Sequence, residues 1–351
     1  MNRNAMTGQS VKTPKARTMA EIAELAGVAE STVSRAIAGS NRVSVETKER
    51  ILRLIDENGY RINSRARSLR TQETRTIEVV IAISETNRQH FSDPFFSQII
   101  SSIGDALAES GYDLLLSRSQ PWGEGSHADA LAVNRADGII IIGQGRNPEA
   151  LNRYAEKYRN VVVWGAHIPG RSYPVVGSDN AHGGALAGKH LLANGRRRLV
   201  FLGDVNHIEV GMRHSGLVSA LTGKGVSSGQ TLMLSMPFDS ASAYEATLRL
   251  FQSGVNHDAI FAASDLMAIA AMRALSDLGA RVPQDVAVIG YDDIALSSFV
   301  SPGLTTIRQD TMAGGRHLVE SMLTILSGRE PSDTVLPTDL VIRQSCGATK
   351  S

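Results

Sequence analysis

The chain has 351 residues, of which 42% are hydrophobic, 20% charged and 5% aromatic. This length indicates two or three domains, and the composition is that of a globular protein, which excludes disordered and fibrous classes. No run approaches the roughly 18 apolar residues of a membrane span, and the N-terminus lacks the apolar core of a signal peptide, so we expect a cytoplasmic protein without a membrane partner. The single cysteine, Cys346, excludes an intramolecular disulfide, and no Cys or Cys/His cluster has the spacing of a structural zinc site.

The net charge of +1 conceals an asymmetry between the two ends of the chain. Residues 1–76 carry 14 lysines and arginines against 8 acidic residues, whereas residues 77–351 carry 22 against 27. A basic head on an acidic body is the charge distribution expected of a segment that neutralises phosphates of nucleic acid.

The head begins with a polar segment and a capped helix. Residues 1–17 show no hydrophobic periodicity, which indicates a disordered arm. Thr18 and Glu21 have the spacing of a capping box and predict a helix start. The residues predicted to form its apolar stripe are Ile22, Leu25 and Ala26.

Two more short helices follow. Gly27 predicts a turn, and a second helix is expected over Glu30–Ala38 with Val33 and Ile37 facing inward. A third is expected over Val45–Asn58, ended by Gly59. The residues predicted for its buried side are Ile51, Leu52, Leu54 and Ile55.

From Ile77 onward, short runs rich in β-branched residues alternate with helical stretches, which indicates parallel sheets covered on both faces. The predicted strands are Ile77–Ile83, Tyr112–Leu116, Gly138–Ile142, Val161–Trp164, Leu199–Gly203, Thr231–Ser235, Ala259–Ala263 and Val286–Tyr291. The predicted helices are Phe95–Ser110, Asn180–Asn194, Val210–Lys224, Ser240–Ser253, Asp265–Leu278 and Thr311–Ser327. This rhythm fits two doubly wound halves or one (β/α) barrel, and periodicity alone does not choose between them.

The order of motifs in the head resembles one known family. Within 18–69 these motifs are A-E-L-A-G-V, T-V-S-R, V-S-V-E-T and N-S-R-A-R-S-L, and the body adds G-Y-D-D (290–293) and L-T-T-I-R-Q-D (304–310). The chain thereby resembles the LacI/GalR family of transcriptional repressors over residues 18 to about 345. The resemblance implies an α/β protein: a two-lobed, periplasmic-binding-protein-like core of doubly wound parallel sheets, behind a small all-α helix-turn-helix domain.

The same resemblance implies the domain boundaries. These are a helix-turn-helix domain at 18–62, a hinge helix and linker at 63–76, an effector-binding core at 77–345 and a tail at 346–351. Within the core, the N-terminal lobe is expected at about 77–175 plus 305–337 and the C-terminal lobe at about 176–304 plus 338–345. The ligand cleft lies between them.

The second helix of a helix-turn-helix reads the major groove through its N-terminal side chains. Arg35 is expected to pair with a guanine, while Val33 builds the helix core. Glu30 departs from the uncharged residue usual in the family: a carboxylate repels phosphate, so it either accepts from a cytosine amine or points away, and the operator sequence stays open. The DNA-binding residues predicted in this domain are Thr18, Glu30, Ser31, Thr32, Ser34 and Arg35.

By similarity, Asn63 caps a hinge helix that orders on operator DNA, and Leu69 enters the minor groove as an apolar wedge. The other DNA-binding residues predicted in this helix are Arg65, Ala66 and Arg67. The alternative is a solvated linker with one stray apolar residue.

In the body, side chains at strand ends facing the lobe interface are candidates for ligand binding. Phe95, Phe96 and Phe238 are expected to stack on the apolar faces of a sugar. Arg213 and Asp265 match positions at which family members bind ligand hydroxyls, and ligand contact is the expectation for both. The alternatives are a surface charge for Arg213 and a cap of the helix beginning at Leu266 for Asp265. Asp292 and Asp293 are expected to be loop structure and not ligand contacts.

Two glycine patterns suggest nucleotide sites but fit poorly. Gly183 to His190 has the outline G-x-x-x-x-G-K of a phosphate loop, yet His190 replaces the hydroxyl residue that holds Mg²⁺, and the segment reads as the middle of a helix. Gly143-x-Gly145 lacks a third glycine. We therefore predict no cofactor, no metal and no catalytic residues.

The sequence thus predicts a homodimeric repressor of carbohydrate-utilisation genes that binds a palindromic operator and responds to a small sugar. Release by the sugar is the expectation, with recruitment the other possible sign. The chain stops at Ser351, before any C-terminal heptad helix like the one that makes some relatives tetramers, so a dimer is expected. The competing hypothesis is a sugar-binding or sugar-modifying protein with an accessory DNA-binding head.

Overall fold

The computed structural model describes residues 18–37, 39–60, 73–82, 91–117, 135–145, 147–225, 231–254 and 256–347. The chain divides after Thr74 into two compact units, a head and a body. The predicted arm at 1–17 lies outside the described residues, as does most of the predicted linker at 63–76.

The head consists of the helices α1 (Met19–Ala26), α2 (Glu30–Ile37) and α3 (Val45–Asn58). The predicted capping box is present: Glu21 N donates to Thr18 Oγ1 at 3.2 Å, and Thr18 N donates to Glu21 Oε2 at 3.3 Å. The three helices therefore begin and end close to where the sequence predicts.

The core of the head is narrower than the sequence suggested. It is formed by Ile22, Ala23, Ala26, Val33, Ala36 and Ile51. The prediction that Leu25 and Leu52 are buried is wrong, because Leu25 is 54% exposed and Leu52 is 45% exposed. Helices of two to four turns bury only a thin stripe, and here Ala23, and not Leu25, completes the stripe on α1.

The body contains two six-stranded sheets, each defining a lobe. The strands are β1 Thr76–Ile81, β2 Asp113–Ser117, β3 Gly138–Ile142, β4 Val161–Trp164, β5 Val175–Ser178, β6 Leu199–Leu202, β7 Thr231–Leu234, β8 Ala259–Ala262, β9 Ala287–Asp292, β10 Thr305–Gln309, β11 Thr334–Leu336 and β12 Thr338–Val341. The first sheet has the order β11-β5-β4-β3-β1-β2 and the second β12-β10-β9-β8-β6-β7, with β12 antiparallel to β10 and the other pairs parallel. Two doubly wound halves, not a barrel, are therefore the correct alternative.

Helices cover both faces of each sheet. They are α4 Pro94–Glu109, α5 Pro148–Lys157, α6 Asn180–Ala193, α7 Ile208–Thr222, α8 Ser240–Gln252, α9 Asp265–Asp277 and α10 Thr311–Leu326, and a 3₁₀ turn spans Ala295–Ser298. Helices α4, α5 and α10 pack on the first sheet, and α6 to α9 on the second. No helix in the described ranges is long and apolar enough to cross a bilayer.

The chain passes between the lobes three times, after β5, after β10 and between β11 and β12. The prediction that 305–337 belongs wholly to the first lobe is wrong for Thr305–Gln309, because this strand pairs with β9 in the second sheet. The C-terminal return to the first lobe therefore occurs at Asp310, the N-cap of α10. Likewise β5, at 175–178, belongs to the first sheet and not to the second lobe.

Helices α6 and α7 pack with unusually close backbones, and glycines allow it. A Cβ on Gly184 would overlap the carbonyl of Arg213, and one on Gly216 would overlap the carbonyl of Ala181. The three glycines of the false phosphate-loop outline thus lie within helix α6 and allow close packing. Gly184 and Gly188 face helix α7, whereas Gly183 faces Tyr291 and Ile307 of the second sheet.

Candidate functional site

Helix α2 of the head presents a polar face to solvent. Glu30, Ser31 and Arg35 are exposed, Thr32 and Ser34 are half-buried, and Val33 is buried in the core. Ser31 and Arg35 are four residues apart and so lie on the same side of the helix. Arg35 is the only basic side chain of α2, and it lies on the face that would meet DNA. Glu30 lies at the N-terminal end of the same helix. The predicted hinge residues Asn63, Arg65, Ala66, Arg67 and Leu69 lie outside the described part of the chain.

The main candidate ligand site is a cleft at the carboxyl ends of the strands of both sheets. It encloses about 690 Å³ out to its solvent mouth. The first lobe contributes Ala82, Asp93, Phe95, Phe96, Ile142, Gly143, Gln144, Gly145 and Trp164, and the second contributes His207, Glu209, Val210, Arg213, Phe238, Asp292 and Gln309. Open α/β sheets bind ligands at this edge because loops there converge on one crevice.

Aromatic rings line two sides of the cleft. Phe95 contacts Phe96 and Trp164, with ring centroids 5.5 and 6.3 Å apart. Phe238 lines the cleft from the second lobe. The cleft thus brings together the three predicted phenylalanines, and it adds Trp164, which the sequence analysis predicted only as the last residue of a strand.

Arg213 on α7 is held firmly before any ligand arrives. Its Nε donates to Asn180 Oδ1 at 2.8 Å and its Nη1 to the carbonyl of Ala263 at 2.6 Å. The guanidinium also lies over the ring of Tyr291, 3.7 Å from its centroid, in cation–π geometry. These three contacts fix a buried positive charge at the wall of the cleft.

Asp265 does not line the cleft, contrary to the sequence expectation. It is 0% exposed, and its Oδ2 accepts from Ser297 Oγ at 2.6 Å and from the backbone N–H of Ile294 at 2.9 Å. Thr306 Oγ1 donates to the other carboxyl oxygen. Burial raises the pKa of Asp265 to about 7, and these donors only partly offset the rise. It joins the 3₁₀ turn, β10 and α9 and is a structural node. Nor does it cap α9, because Ser264 is the N-cap.

Asp292, which the sequence analysis expected to be loop structure, is the last residue of strand β9 and lines the cleft, where Asp265 was expected. It is 8% exposed and accepts from Gln309 Nε2 at 2.6 Å. Burial raises its pKa well above the usual value, with Arg213 opposing the rise. Its φ of 117° is rare for a residue other than glycine and marks a constrained position at the end of β9. The neighbouring Asp293 instead forms ion pairs with Arg308 and Arg343.

Two further carboxyl groups face the cleft. Asp93 is the N-cap of α4 and accepts from Phe95 N at 3.0 Å, and burial raises its pKa. Burial also raises the pKa of Glu209, in the first turn of α7, although its own backbone N–H, Arg213 and the backbone N–H of Gln144 partly oppose the rise. Sequence analysis missed both side chains as ligand candidates, because each also has an ordinary helix N-terminal role.

Metal-ligand clusters are lacking among the described residues: they contain no group of three or more His, Cys, Asp or Glu side chains arranged to hold an ion. Cys346 is buried, with its Sγ 3.2 Å from His190 Nε2 and 3.1 Å from Thr305 Oγ1. This contact lies in the second lobe, and none of its three residues lines the cleft.

Comparison with known proteins accounts for both units. Residues 18–63 match the family described as "Bacterial regulatory proteins, lacI family", and residues 189–346 match the "Periplasmic binding protein-like domain". The chain is 35% identical over 338 residues to the HTH-type transcriptional regulator CelR of Thermobifida fusca, covering 93% of this chain and 98% of that one. It is 30% identical over 339 residues to the HTH-type transcriptional repressor PurR of Haemophilus influenzae (strain PittEE), with the same coverage.

Two solved structures are similar over most of the chain. One is a complex of the transcriptional regulator CelR with cellobiose, at TM-score 0.69 and 33% identity, covering 94% of this chain and 100% of that chain. The other is the lac repressor dimer bound to operator and the anti-inducer ONPF, at TM-score 0.80 and 26% identity, covering 94% and 99%.

Proposed function

The chain belongs to the lacI family of bacterial regulatory proteins, and from this we propose a homodimeric repressor of carbohydrate-utilisation genes that releases a palindromic operator when a small sugar binds in its cleft. The repressor role agrees with the relatives CelR and PurR, both HTH-type regulators. A sugar effector agrees with the CelR–cellobiose complex and with a cleft that combines aromatic rings and charged hydrogen-bonding groups.

The observation that carries the proposal is that both lobes line one cleft and are joined by three chain crossings. A ligand that contacts both walls favours one arrangement of the lobes over another. Shifting a two-state equilibrium from 1:99 to 99:1 takes about 5.5 kcal/mol of differential binding. Hydrogen bonds to charged groups contribute about 1.5–3 kcal/mol each, so a few that form in only one arrangement suffice.

On the ligand side, we propose that Arg213 and Asp292 bind sugar hydroxyls while Phe95, Phe96 and Phe238 cover the apolar faces of the ring. Arg213 is buried and immobilised, and Asp292 lies in the same wall, so the two offer a donor and an acceptor side by side. Sugars present both hydroxyl donors and acceptors around an apolar ring face, and this site has partners for each.

On the DNA side, we propose that Arg35 and Ser31 read base edges in the major groove and that Thr18, Thr32 and Ser34 contact phosphates. One short helix reads only a few base pairs, so two copies are required, and the solved lac repressor dimer on operator is consistent with this. The hinge residues Asn63 to Leu69 are proposed to order on the operator. Because the target is chromosomal DNA, we infer a cytoplasmic, nucleoid-associated protein.

The test measures binding of the full-length protein to a fluorescent palindromic duplex from its own promoter region, with a scrambled duplex as control. We expect preference for the palindrome, an affinity that falls steeply as salt rises, and release on adding cellobiose or another uncharged disaccharide. Equal binding to both duplexes at every salt concentration, with and without sugars, would refute the proposal. The sugar should be recovered unchanged, since conversion would instead favour a sugar-modifying enzyme.

A further inference from the structure

The charged side chains of the cleft are mostly acidic. Asp93, Glu209 and Asp292 supply three carboxyl groups, against the guanidinium of Arg213 and the imidazole of His207, whose Nε2 lies 3.9 Å from Asp204 Oδ2. The contacts of Arg213 with Asn180, a backbone carbonyl and an aromatic ring orient the guanidinium without neutralising its charge. Carboxyl groups nevertheless outnumber this guanidinium in the cleft, which disfavours an anionic ligand.

Glu209 differs from the other two carboxyl groups in its hydrogen bonding. Asp93 accepts from the backbone of α4 and Asp292 accepts from Gln309. The backbone N–H groups of Glu209 and Gln144 act on the carboxyl group of Glu209, but its Oε1 atom is buried and has no hydrogen-bond partner among the described residues. Of the buried side-chain oxygens and nitrogens left without a partner in the described chain, it alone belongs to a residue that lines the cleft. A buried oxygen without a donor is costly unless a ligand or water supplies one.

We propose that Glu209 determines which sugars the cleft accepts: its Oε1 takes a hydrogen bond from a ligand hydroxyl, and its negative charge excludes phosphorylated sugars. This inference rests on the proposed sugar-responsive function and specifies the effector as an uncharged sugar.

The exclusion follows from linkage between ligand charge and the ionisation of Glu209. Burial raises its pKa, which favours the protonated form, so the exclusion acts through the ionised fraction of Glu209. A phosphate in the cleft would raise this pKa further, so ionised Glu209 opposes the binding of the phosphate. An uncharged hydroxyl has no such penalty and satisfies the free oxygen.

The experiment is isothermal titration calorimetry on the full-length protein and three variants. Glu209→Gln keeps the shape and an acceptor oxygen but removes the charge, and Glu209→Ala removes both. Glu149→Gln is the matched control, because Glu149 also lies in the first turn of a helix but is exposed and outside the cleft. The ligands are cellobiose, maltose and lactose, each beside its 6-phosphate ester.

We expect at least one uncharged disaccharide to bind the wild type at least tenfold more tightly than its phosphate, as estimated from like charges in a partly buried site. Glu209→Ala should weaken the uncharged sugar by about tenfold to a hundredfold. Glu209→Gln should reduce the discrimination against the phosphate by about tenfold, and Glu149→Gln should change neither. Operator binding and melting temperature verify that the variants fold. If the alanine variant does not fold, the near-isosteric glutamine variant tests the proposal alone.

Two results would overturn the inference while leaving the sugar-responsive function intact. The first is a disaccharide that binds the wild type and both Glu209 variants within about twofold. The second is a phosphate ester that binds the wild type as tightly as its parent sugar. If no sugar in the panel binds the wild type, the proposed function itself fails, and the role of Glu209 fails with it.

Discussion

Replacing Asp265 with alanine removes the acceptor shared by three buried donors, so we expect loss of stability with no direct loss of ligand contacts. The donors are the hydroxyls of Ser297 and Thr306 and the backbone N–H of Ile294. A buried donor left unsatisfied costs about 1–3 kcal/mol. The hydroxyls can rotate toward other acceptors but the backbone N–H cannot, so we expect a total of about 3–5 kcal/mol at acidic pH.

The loss of stability caused by Asp265→Ala should depend on pH, and the direction of this dependence follows from the raised pKa of Asp265. In the folded protein the pKa of Asp265 is about 7, against 3.8 for the unperturbed group. Between these values the folded state holds a proton that the unfolded state has released, so wild-type stability falls as pH rises from about 4 to 7. Alanine lacks this dependence. The destabilisation caused by Asp265→Ala should therefore be about 2–3 kcal/mol smaller at pH 8 than at pH 5.

The assay is urea unfolding of the full-length protein at pH 5 and pH 8, followed by circular dichroism. Asp292→Asn is the matched control, because it alters the neighbouring buried aspartate, and asparagine tolerates a positive φ better than most residues. We expect this variant to unfold within about 1 kcal/mol of wild type but to bind sugar at least tenfold more weakly. An Asp265→Ala protein of wild-type stability at pH 5 that has lost sugar binding would refute the assignment of Asp265 as a structural node.

Three further outcomes are expected. Arg35→Ala should cost about 1–3 kcal/mol in binding to the specific operator and little on scrambled DNA, whereas Arg249→Ala, at an exposed ion pair of the body, should change neither affinity. Thr18→Ala should destabilise α1 by about 1 kcal/mol, measured as faster amide exchange in that helix, and unchanged exchange would contradict the capping role. Gly184→Ala should lower stability by about 1–3 kcal/mol through overlap with the backbone of α7, while Gly104→Ala, where a Cβ meets only an ordinary contact, should be neutral or stabilising.

Elements with strong local signals could be predicted from sequence. The strand Gly138–Ile142 is an uninterrupted apolar run that is buried throughout, and Val45–Asn58 is framed by a serine cap and a terminal glycine. The strand Val175–Ser178 was missed because half of it is glycine and serine, which have little β-propensity. The helix Pro148–Lys157 was missed because its polar sequence after a proline reads as a loop.

The candidate site shows a different limit. Phe95 and Phe238 could be predicted to line the cleft because each follows a strand, and that position is set by topology. Arg213 could be predicted only from the family resemblance. Which of the two aspartates, Asp265 or Asp292, lines the cleft depends on how deeply each side chain is buried, which no hydrophobic periodicity encodes. A Cβ on Gly290 would overlap Asp265 Oδ1, so the glycine on β9 leaves the space that the buried Asp265 carboxyl group occupies.

Helix packing and ligand binding meet at Arg213. The glycines of α6 let that helix approach the backbone of Arg213 itself, and Asn180, at the start of α6, binds its guanidinium. The side chain is therefore ordered by the fold, and the proposed sugar would not have to immobilise it, which removes a cost of about 0.5–1.5 kcal/mol from binding. The groups that hold Arg213 all belong to its own lobe, so this gain is the same in either arrangement of the lobes. It tightens binding, whereas coupling to operator release comes from contacts that differ between the two arrangements. The glycines of α6, whose spacing resembles a phosphate loop in the sequence, thus help to position Arg213 at the wall of the cleft.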